Sequence, residues 1–302
     1  MNSAPVDPRT ALPPLGQMPV VARLTETLTR VVAPNASHMT LDGTNTYLVG
    51  RHGSGGAFLV DPGPSDPEHL ERVRLALGEL DAECSGIVVT HHHLDHSEAA
   101  LAWGRAFQAP VAASRPDVAG PDGRVLEEGS TLSAAGTTLT AVPTPGHSAD
   151  HLCFRLTDGA LLSGDHILGR GTSVVAWPEG DLAAYLQSLR RVLDLGPDAL
   201  FPGHGPELLD DPQSVISYYL EHRAWREAQV RAALEDDATL ALRPAELVAR
   251  IYADVDPVLW PAAELSTRAC LVKLADEGVV SGLPFDAPGP DRGRRDPRHP
   301  LG

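Results

Sequence analysis

The sequence predicts a layered α/β fold followed by a smaller helical domain. Over the first two-thirds of the chain, short β-prone runs alternate with Gly/Pro turns and a few helical patterns, as in sheets covered by helices. From Asp211-Pro212, a plausible N-cap and first helical residue, apolar side chains recur at helical spacing instead. A length of 302 residues is enough for one sizeable core and a second, smaller unit. These observations favour two domains.

The boundaries follow from composition. Residues 1–17 and 283–302 are rich in Pro, Gly and polar groups and are predicted to be disordered tails. Between them we expect a catalytic domain at 18–212 and a three-helix domain at 213–282, with Gly278 ending its last helix.

Charge and cysteine content limit the partners and the compartment. The formal net charge of −16 disfavours a broad nucleic-acid or membrane-binding surface, although it leaves room for a local cationic groove. Three widely separated cysteines do not form a disulfide framework. The first 18 residues hold no apolar signal region, and no stretch approaches membrane-spanning length. We therefore expect a cytoplasmic protein.

The central motif is Thr90-His91-His92-His93-Leu94-Asp95-His96, which follows the apolar, β-branched run Ile87-Val88-Val89. Runs of that kind are typical of buried strands, so the polar cluster is expected where a strand ends. Strand alternation predicts that His92 points away from the others.

Three further β-prone runs end in the same way. Each leads through a glycine turn to a His or Asp: Thr144-Pro145-Gly146-His147, Gly164-Asp165-His166 and Pro202-Gly203-His204-Gly205. The carboxyl ends of strands are where ligand sites gather in α/β proteins. We therefore expect these side chains to lie close to the first cluster.

Imidazole and carboxylate donors suit zinc, and also iron or manganese. The predicted assignment gives His91, His93 and His147 to one ion and Asp95, His96 and His204 to another, with Asp165 bridging the two. Two such ions would lower the pKa of a shared water and produce a hydroxide nucleophile. One cluster by itself is equally consistent with buried, hydrogen-bonded histidines, but four clusters at strand ends favour a metal site.

The T-H-x-H-x-D-H string and the later P-G-H, G-D and P-G-H turns resemble the metallo-β-lactamase superfamily over roughly residues 20–210. The resemblance implies an αββα sandwich. It also implies that Asp61, in Val60-Asp61-Pro62-Gly63, orients the metal ligands. The alternative for Asp61 is a simple turn residue before Pro-Gly.

Departures from the family pattern indicate which branch of the superfamily the sequence resembles. The bridging position is Asp165 rather than the cysteine of many true β-lactamases, and His93 stands where diiron flavoproteins carry a glutamate. The segment from Gly203 into the C-terminal helices is most similar to the β-lactamase-like protein 2 group, which has a winged-helix-like C-terminal domain. That group includes endoribonucleases of single-stranded RNA.

Several other residues fit either a functional or a structural role. His151 and His166 could support the site or simply be buried, and Trp177 and Tyr185 are more simply aromatic core than pocket lining. Arg223 and Arg226 could meet phosphate, but a solvated helix face is the favoured interpretation.

Three functions remain open from the sequence. The resemblance slightly favours a phosphodiesterase acting on single-stranded RNA, whereas the acidity favours an acyl substrate such as a thioester, lactone or lactam. In both, Asp95 and Asp165 are the predicted catalytic residues. A non-enzymatic, metal-containing binding protein is the third, and it is disfavoured because structural zinc is usually closed by four ligands, often cysteines.

Overall fold

The computed structural model describes residues 3–10, 12–134 and 136–283. Two β-sheets pack face to face, and helices cover both outer faces. The predicted αββα sandwich is thereby confirmed. The predicted tail at 283–302 lies, apart from Leu283, outside the described residues.

The first sheet contains seven strands in sequence order. Neighbours are antiparallel through its first four strands and parallel from the fourth to the seventh. The strands are β1 Val21–Arg23, β2 Leu28–Val32, β3 Asn45–Val49, β4 Gly55–Val60, β5 Ala82–Val88, β6 Val111–Ala113 and β7 Arg124–Val125.

The second sheet has the order β12-β11-β10-β9-β8. Its last pair in the chain, β11 and β12, is parallel, and the other pairs are antiparallel. The strands are β8 Thr131–Ala134, β9 Thr137–Pro143, β10 Leu152–Leu156, β11 Leu161–Gly164 and β12 Leu200–Pro202.

Eight α-helices are present in the described residues: α1 Pro67–Glu79, α2 Leu94–Ser97, α3 Ala100–Phe107, α4 Pro116–Ala119, α5 Leu182–Leu195, α6 Pro212–Asp236, α7 Pro244–Ile251 and α8 Trp260–Asp276. Short 3-10 turns at Ala238–Leu242 and Pro257–Leu259 flank α7. The longer helices begin where side chains can cap them. Asp66, Asp181 and Asp211 accept backbone N–H groups at the starts of α1, α5 and α6.

The alternation of side chains along each strand builds separate cores. In β4, Phe58 and Val60 belong to the core between the sheets, whereas Ala57 and Leu59 pack under α1 and α3. A strand buried on both faces must be apolar at every position, and this explains the continuous run Ala57-Phe58-Leu59-Val60.

The C-terminal helices share a core with the second sheet's outer layer. Tyr185 and Leu189 of α5 belong to the same buried cluster as Ile216 and Tyr219 of α6 and Leu271 of α8. Asp211 caps α6, which begins at Pro212, as the sequence suggested for this pair of residues.

The N-terminal segment also makes contacts, although its composition predicts a disordered tail. The Arg9 guanidinium, 2% exposed, donates to the carbonyls of Leu168 and Gly171 at 2.9 and 2.8 Å and pairs with Asp7. In the described part of the chain, every helix is too short or too polar to cross a bilayer.

Candidate metal centre

The seven predicted ligands lie together where four strands end. His91, His93, Asp95 and His96 follow β5, and the other three follow β9, β11 and β12. Their donor atoms form overlapping groups within 4.8 Å: His91, His93 and His147; Asp95, His96 and His204; and His91, His96 and Asp165. The loops of both sheets therefore contribute to one site.

The first group consists of three imidazoles around one point. Nδ1 of His93 lies 3.0 Å from Nε2 of His91 and 3.0 Å from Nε2 of His147. His91 is 1% exposed, whereas the His93 side chain is 30% exposed. The group therefore opens to solvent on the side of His93.

The second group is deeper. Nε2 of His96 lies 3.2 Å from Nε2 of His204, and Oδ2 of Asp95 lies 3.2 Å from the same His204 nitrogen. Both histidines are at most 1% exposed, but the Asp95 side chain is 32% exposed. Asp95 thus joins the second group to solvent.

Asp165 lies between the groups and turns one oxygen towards each. Its Oδ2 is 3.7 Å from Nε2 of His147, and its Oδ1 is 3.4 Å from Nε2 of both His96 and His204. This geometry matches a carboxylate that bridges two ions.

The outer hydrogen bonds show which nitrogen of each ring carries its proton. Nδ1 of His147 donates to the carbonyl of Val174 at 2.7 Å, that of His204 to Gly43 at 3.2 Å, and that of His96 to Asp61 at 2.8 Å. The Nε2 atoms of these rings then face one another inside the cluster, where a metal ion would take their lone pairs. Burial by itself lowers the pKa of His204, but Asp165 and Asp95 raise it to about 9, so without an ion this ring is held as a cation between carboxylates.

Asp165 supports the same interpretation. Its Oδ1 is buried and has no hydrogen-bond partner among the described residues, so a cation would complete its shell. Burial by itself raises the pKa of Asp165, but His204 and His96 hold it well below its usual range. Burial lowers the pKa of His91 and of His147, which keeps both rings neutral as ligands. The residues therefore fit two divalent ions.

Asp61 organises both halves of the cluster after β5. Its carboxylate accepts the Thr90 backbone N–H at 2.7 Å, the Thr90 hydroxyl at 2.8 Å and Nδ1–H of His96 at 2.8 Å. Thr90 Oγ1 in turn lies 3.0 Å from Nδ1 of His91. Asp61 has a left-handed φ of 54°, and its own carbonyl accepts the Thr46 hydroxyl at 2.6 Å.

The glycine turns are required by close approach. A Cβ at Gly203 would lie 2.6 Å from Oδ1 of Asp165 and 2.7 Å from Cε1 of His96. At Gly164 it would lie 2.7 Å from Nε2 of His151, and φ there is 49°. Larger residues would displace the ligands.

The weaker sequence candidates have structural positions. His151 is buried, accepts the Asp165 backbone N–H at 3.1 Å and lies 2.8 Å from the Thr144 hydroxyl. His166 is buried against Tyr185, with ring centroids 5.0 Å apart, and burial lowers its pKa to about 3. Tyr185 is core, as the sequence suggested, and Trp177 packs partly buried against the same cluster. His151 therefore contacts the backbone of a predicted ligand.

Two carboxylates at the mouth were missed by the sequence reasoning. Oε1 of Glu179 lies 3.2 Å from Nε2 of His93 and 3.1 Å from Nε2 of His92, and Asp150 lies 2.8 Å from Nδ1 of His92. These hydrogen bonds raise the pKa of His92 to about 9. His92 was predicted to point away from the ligands, but its ring centre lies 5.1 Å from that of His93, and both rings contact Glu179. Glu179 and Asp150 belong to no recognisable motif, so no local signal could have found them.

Of the two arginines that were candidates for phosphate, Arg223 is buried and Arg226 is half-buried, so the predicted solvated face is wrong for Arg223. Arg223 is 8% exposed; it donates to the Ser173 carbonyl and lies 5.2 Å from the Tyr185 ring centre. Arg226 donates to the Ile251 carbonyl at 2.7 Å and lies over the Tyr252 ring at 4.1 Å. Arg223 thus links α6 to α5 and to the segment at Ser173, whereas Arg226 links α6 to the end of α7.

Comparisons with known proteins agree with this architecture. Residues 39–204 match the model of the metallo-beta-lactamase superfamily, and residues 244–283 match a beta-lactamase associated winged helix domain. The chain is 34% identical to a beta-lactamase-like protein 2 homolog of Drosophila melanogaster, over 87% of this chain and 92% of the relative. It is also 34% identical to lactamase-like protein aptB of Emericella nidulans, over 89% and 88% of the two chains.

Solved structures show the same fold at lower identity. A metallo-beta-lactamase family protein from Thermus thermophilus superposes with a TM-score of 0.69 and 23% identity, covering 87% of this chain and 98% of that one. A beta-lactamase domain protein from Burkholderia ambifaria gives 0.70 and 22%, covering 89% and 90%. The similarity extends over the C-terminal helices as well as the sandwich.

Proposed function

Because the chain belongs to the metallo-beta-lactamase superfamily, whose members are typically metal-dependent hydrolases, we propose that it is a dinuclear metallohydrolase of acyl substrates such as thioesters, lactones or lactams. Zinc is the metal that best suits the donor set, and manganese or iron is the alternative. The observation that carries the proposal is Asp165, whose two oxygens face two separate groups of imidazoles.

Each side chain of the centre has a role in the proposal. His91, His93 and His147 hold one ion, Asp95, His96 and His204 hold the other, and Asp165 holds both. When bound, the two ions would supply Lewis acidity to the attacking water and to the scissile carbonyl. The outer hydrogen bonds of the histidines fix the orientation of the ligand rings, so the positive charge of the ions would stay in a fixed position during the reaction.

Asp95 is the proposed proton carrier to the leaving group. Burial by itself raises the pKa of Asp95, but His204 and His96 lower it, so the carboxylate is ionised. It is also the more exposed of the two ligand carboxylates, at 32% for the side chain against 12% for Asp165. A substrate that enters from solvent therefore meets Asp95 before Asp165, so Asp95 lies nearer to the leaving group.

The charges at the mouth favour a neutral acyl group over a polyanion. Asp150 and Glu179 lie on the side of His93, and the nearby Arg115 donates to Asp117 at 2.7 Å. Arg223 and Arg226 donate to backbone carbonyls of the protein itself. A phosphodiester backbone needs cations that neutralise its charge, and a carbonyl substrate does not.

Single-stranded RNA is the second candidate. The observation that favours it is the similarity to a beta-lactamase-like protein 2 homolog along most of the chain. The group that the sequence resembles includes endoribonucleases of single-stranded RNA. RNA binding requires cations near the site, and the contacts of Arg115, Arg223 and Arg226 do not supply them.

One experiment separates the candidates. Purified protein is analysed for metal and assayed with thioester, lactone, lactam and unstructured RNA substrates at two ionic strengths. We expect about two ions per chain and metal-dependent acyl hydrolysis that changes little with salt. Metal-dependent RNA cleavage that falls steeply with salt, without acyl hydrolysis, would replace the first candidate by the second.

Variants test the centre itself. Asp165→Ala or His96→Ala should remove at least one ion and most of the hydrolysis, whereas the exposed His52→Ala should change neither. Full activity with a single tightly bound ion would contradict the dinuclear mechanism.

A further inference from the structure

Glu179 lies beside the metal centre but is not one of its seven ligands. Its Oε1 lies 3.2 Å from Nε2 of His93, whose other nitrogen, Nδ1, points into the first ligand group. The side chain is 35% exposed, so it forms part of the wall at the mouth.

His93 differs from its two neighbours in the nitrogen that it offers. His91 and His147 turn Nε2 towards the group, whereas His93 turns Nδ1. A neutral imidazole has one lone pair, so Nδ1 of His93 can bind metal only when its proton is on Nε2. An acceptor at Nε2 therefore favours the tautomer of His93 that can bind metal.

The outer acceptors of the other two rings are built into the core. Nδ1 of His147 donates to a backbone carbonyl, and Nδ1 of His91 lies next to the buried Thr90 hydroxyl. The Nε2 of His93 faces the mouth instead, where Glu179 from another segment of the chain lies within hydrogen-bond distance.

The segment that carries Glu179 is held from several sides. The Trp177 N–H donates to the Leu265 carbonyl of α8 at 3.2 Å, and the Asp181 N–H donates to the Gly146 carbonyl at 2.9 Å. The latter bond ties it to the turn that presents His147. Nε2 of His92, 3.1 Å away, further restrains the carboxylate. A carboxylate held in this way can fix a ring, which a mobile surface glutamate cannot.

We propose that Glu179 is a positioning residue that accepts the Nε2 proton of His93, and so selects the tautomer and orientation in which His93 binds metal through Nδ1. The inference rests on the proposed metal centre, and it makes the three-histidine half of that centre depend on a residue outside the ligand set.

The test compares metal affinity in three variants by competition with a chromogenic chelator. Glu179→Ala should weaken one of the two zinc ions by about 10- to 100-fold and leave the other unchanged. Glu179→Gln keeps an oxygen acceptor and should restore part of the loss. Asp150→Ala removes the other carboxylate beside His92 without touching His93, and should bind both ions like the wild type.

A second readout follows the proton directly. In the zinc-loaded wild type, ¹⁵N-resolved NMR should find His93 protonated on Nε2 and His147 on Nδ1, and Glu179→Ala should disturb the His93 signal selectively. Thermal unfolding of the metal-free variants confirms that each is folded.

The outcomes are distinguishable. Wild-type affinity for both ions in Glu179→Ala, or an equal loss in Asp150→Ala, would overturn the role of Glu179 and leave the dinuclear centre standing. Binding of a third ion that Glu179→Ala alone loses would also overturn it, since Glu179, His92 and His93 would then be ligands of their own site. A wild type that binds fewer than two ions would overturn the centre and this inference together.

Discussion

The carboxylate of Asp61 and Nδ1 of His96 are 2.8 Å apart, although 35 residues separate them in the chain. The same carboxylate receives both donors of Thr90. One buried acid thus orients His96 directly and His91 through Thr90.

Asp61→Asn should weaken metal binding by about 10- to 100-fold. The amide NH2 group of Asn is a donor, so it would face another donor where the carboxylate oxygen of Asp61 accepts a hydrogen bond. The metal-free protein should lose about 1–3 kcal/mol of unfolding free energy. Chelator competition and urea unfolding measure the two effects. Asp66→Asn, at a helix N-cap where both residues serve equally well, is the control. Unaltered affinity in Asp61→Asn would contradict the role of Asp61.

Gly203→Ala should disrupt the second ligand group, because its Cβ would lie 2.6 Å from Oδ1 of Asp165. We expect loss of metal and of hydrolysis, measured by elemental analysis and initial rates. Gly78→Ala, in a helix with open space around it, should instead stabilise the fold by about 0.5–1 kcal/mol. A fully loaded, active Gly203→Ala protein would show that the turn can move aside.

His69→Phe should make the metal-free protein less sensitive to acid. Burial lowers the pKa of His69 to about 4, below its unfolded value near 6.5. A lowered histidine pKa contributes stability that is present above about pH 6.5 and is lost as the pH falls towards 4, up to about 3 kcal/mol. Urea unfolding across that range should show that the free energy of unfolding changes less steeply with pH in His69→Phe than in the wild type. His52→Phe, at an exposed position, should follow the wild type. Parallel slopes for His69→Phe and wild type would exclude this contribution.

Arg223→Lys should loosen the segment that holds His147. The Arg223 guanidinium donates to the Ser173 carbonyl, and the next residue, Val174, accepts Nδ1–H of His147. A lysine lacks the planar fork, so we expect a loss of about 1–3 kcal/mol in unfolding free energy and slower hydrolysis. Arg231→Lys, on the same helix with a partly exposed side chain, should cost at most about 1 kcal/mol. Equal losses of unfolding free energy in the two variants would mean that the buried contact of Arg223 contributes no more to stability than the partly exposed contacts of Arg231.

Much of the sandwich and the choice of ligand residues could be predicted from the sequence because both depend on short-range patterns. A buried strand needs an apolar run, and a turn that brings a ligand close needs glycine, so Val88 before the histidines and Gly146, Gly164 and Gly203 before their ligands are visible in the letters alone. The seven side chains that the sequence singles out do converge in space.

Contacts between distant segments could be decided only by the tertiary structure. The sequence favours a solvated helix face for Arg223, whereas packing of α6 against α5 and the segment at Ser173 buries it. The acceptor within hydrogen-bond distance of Nε2 of His93 is Glu179, a residue 86 positions away with no motif of its own. Local patterns are set by neighbours in the chain, but the proton on an imidazole is set by the acceptor that the fold brings to it.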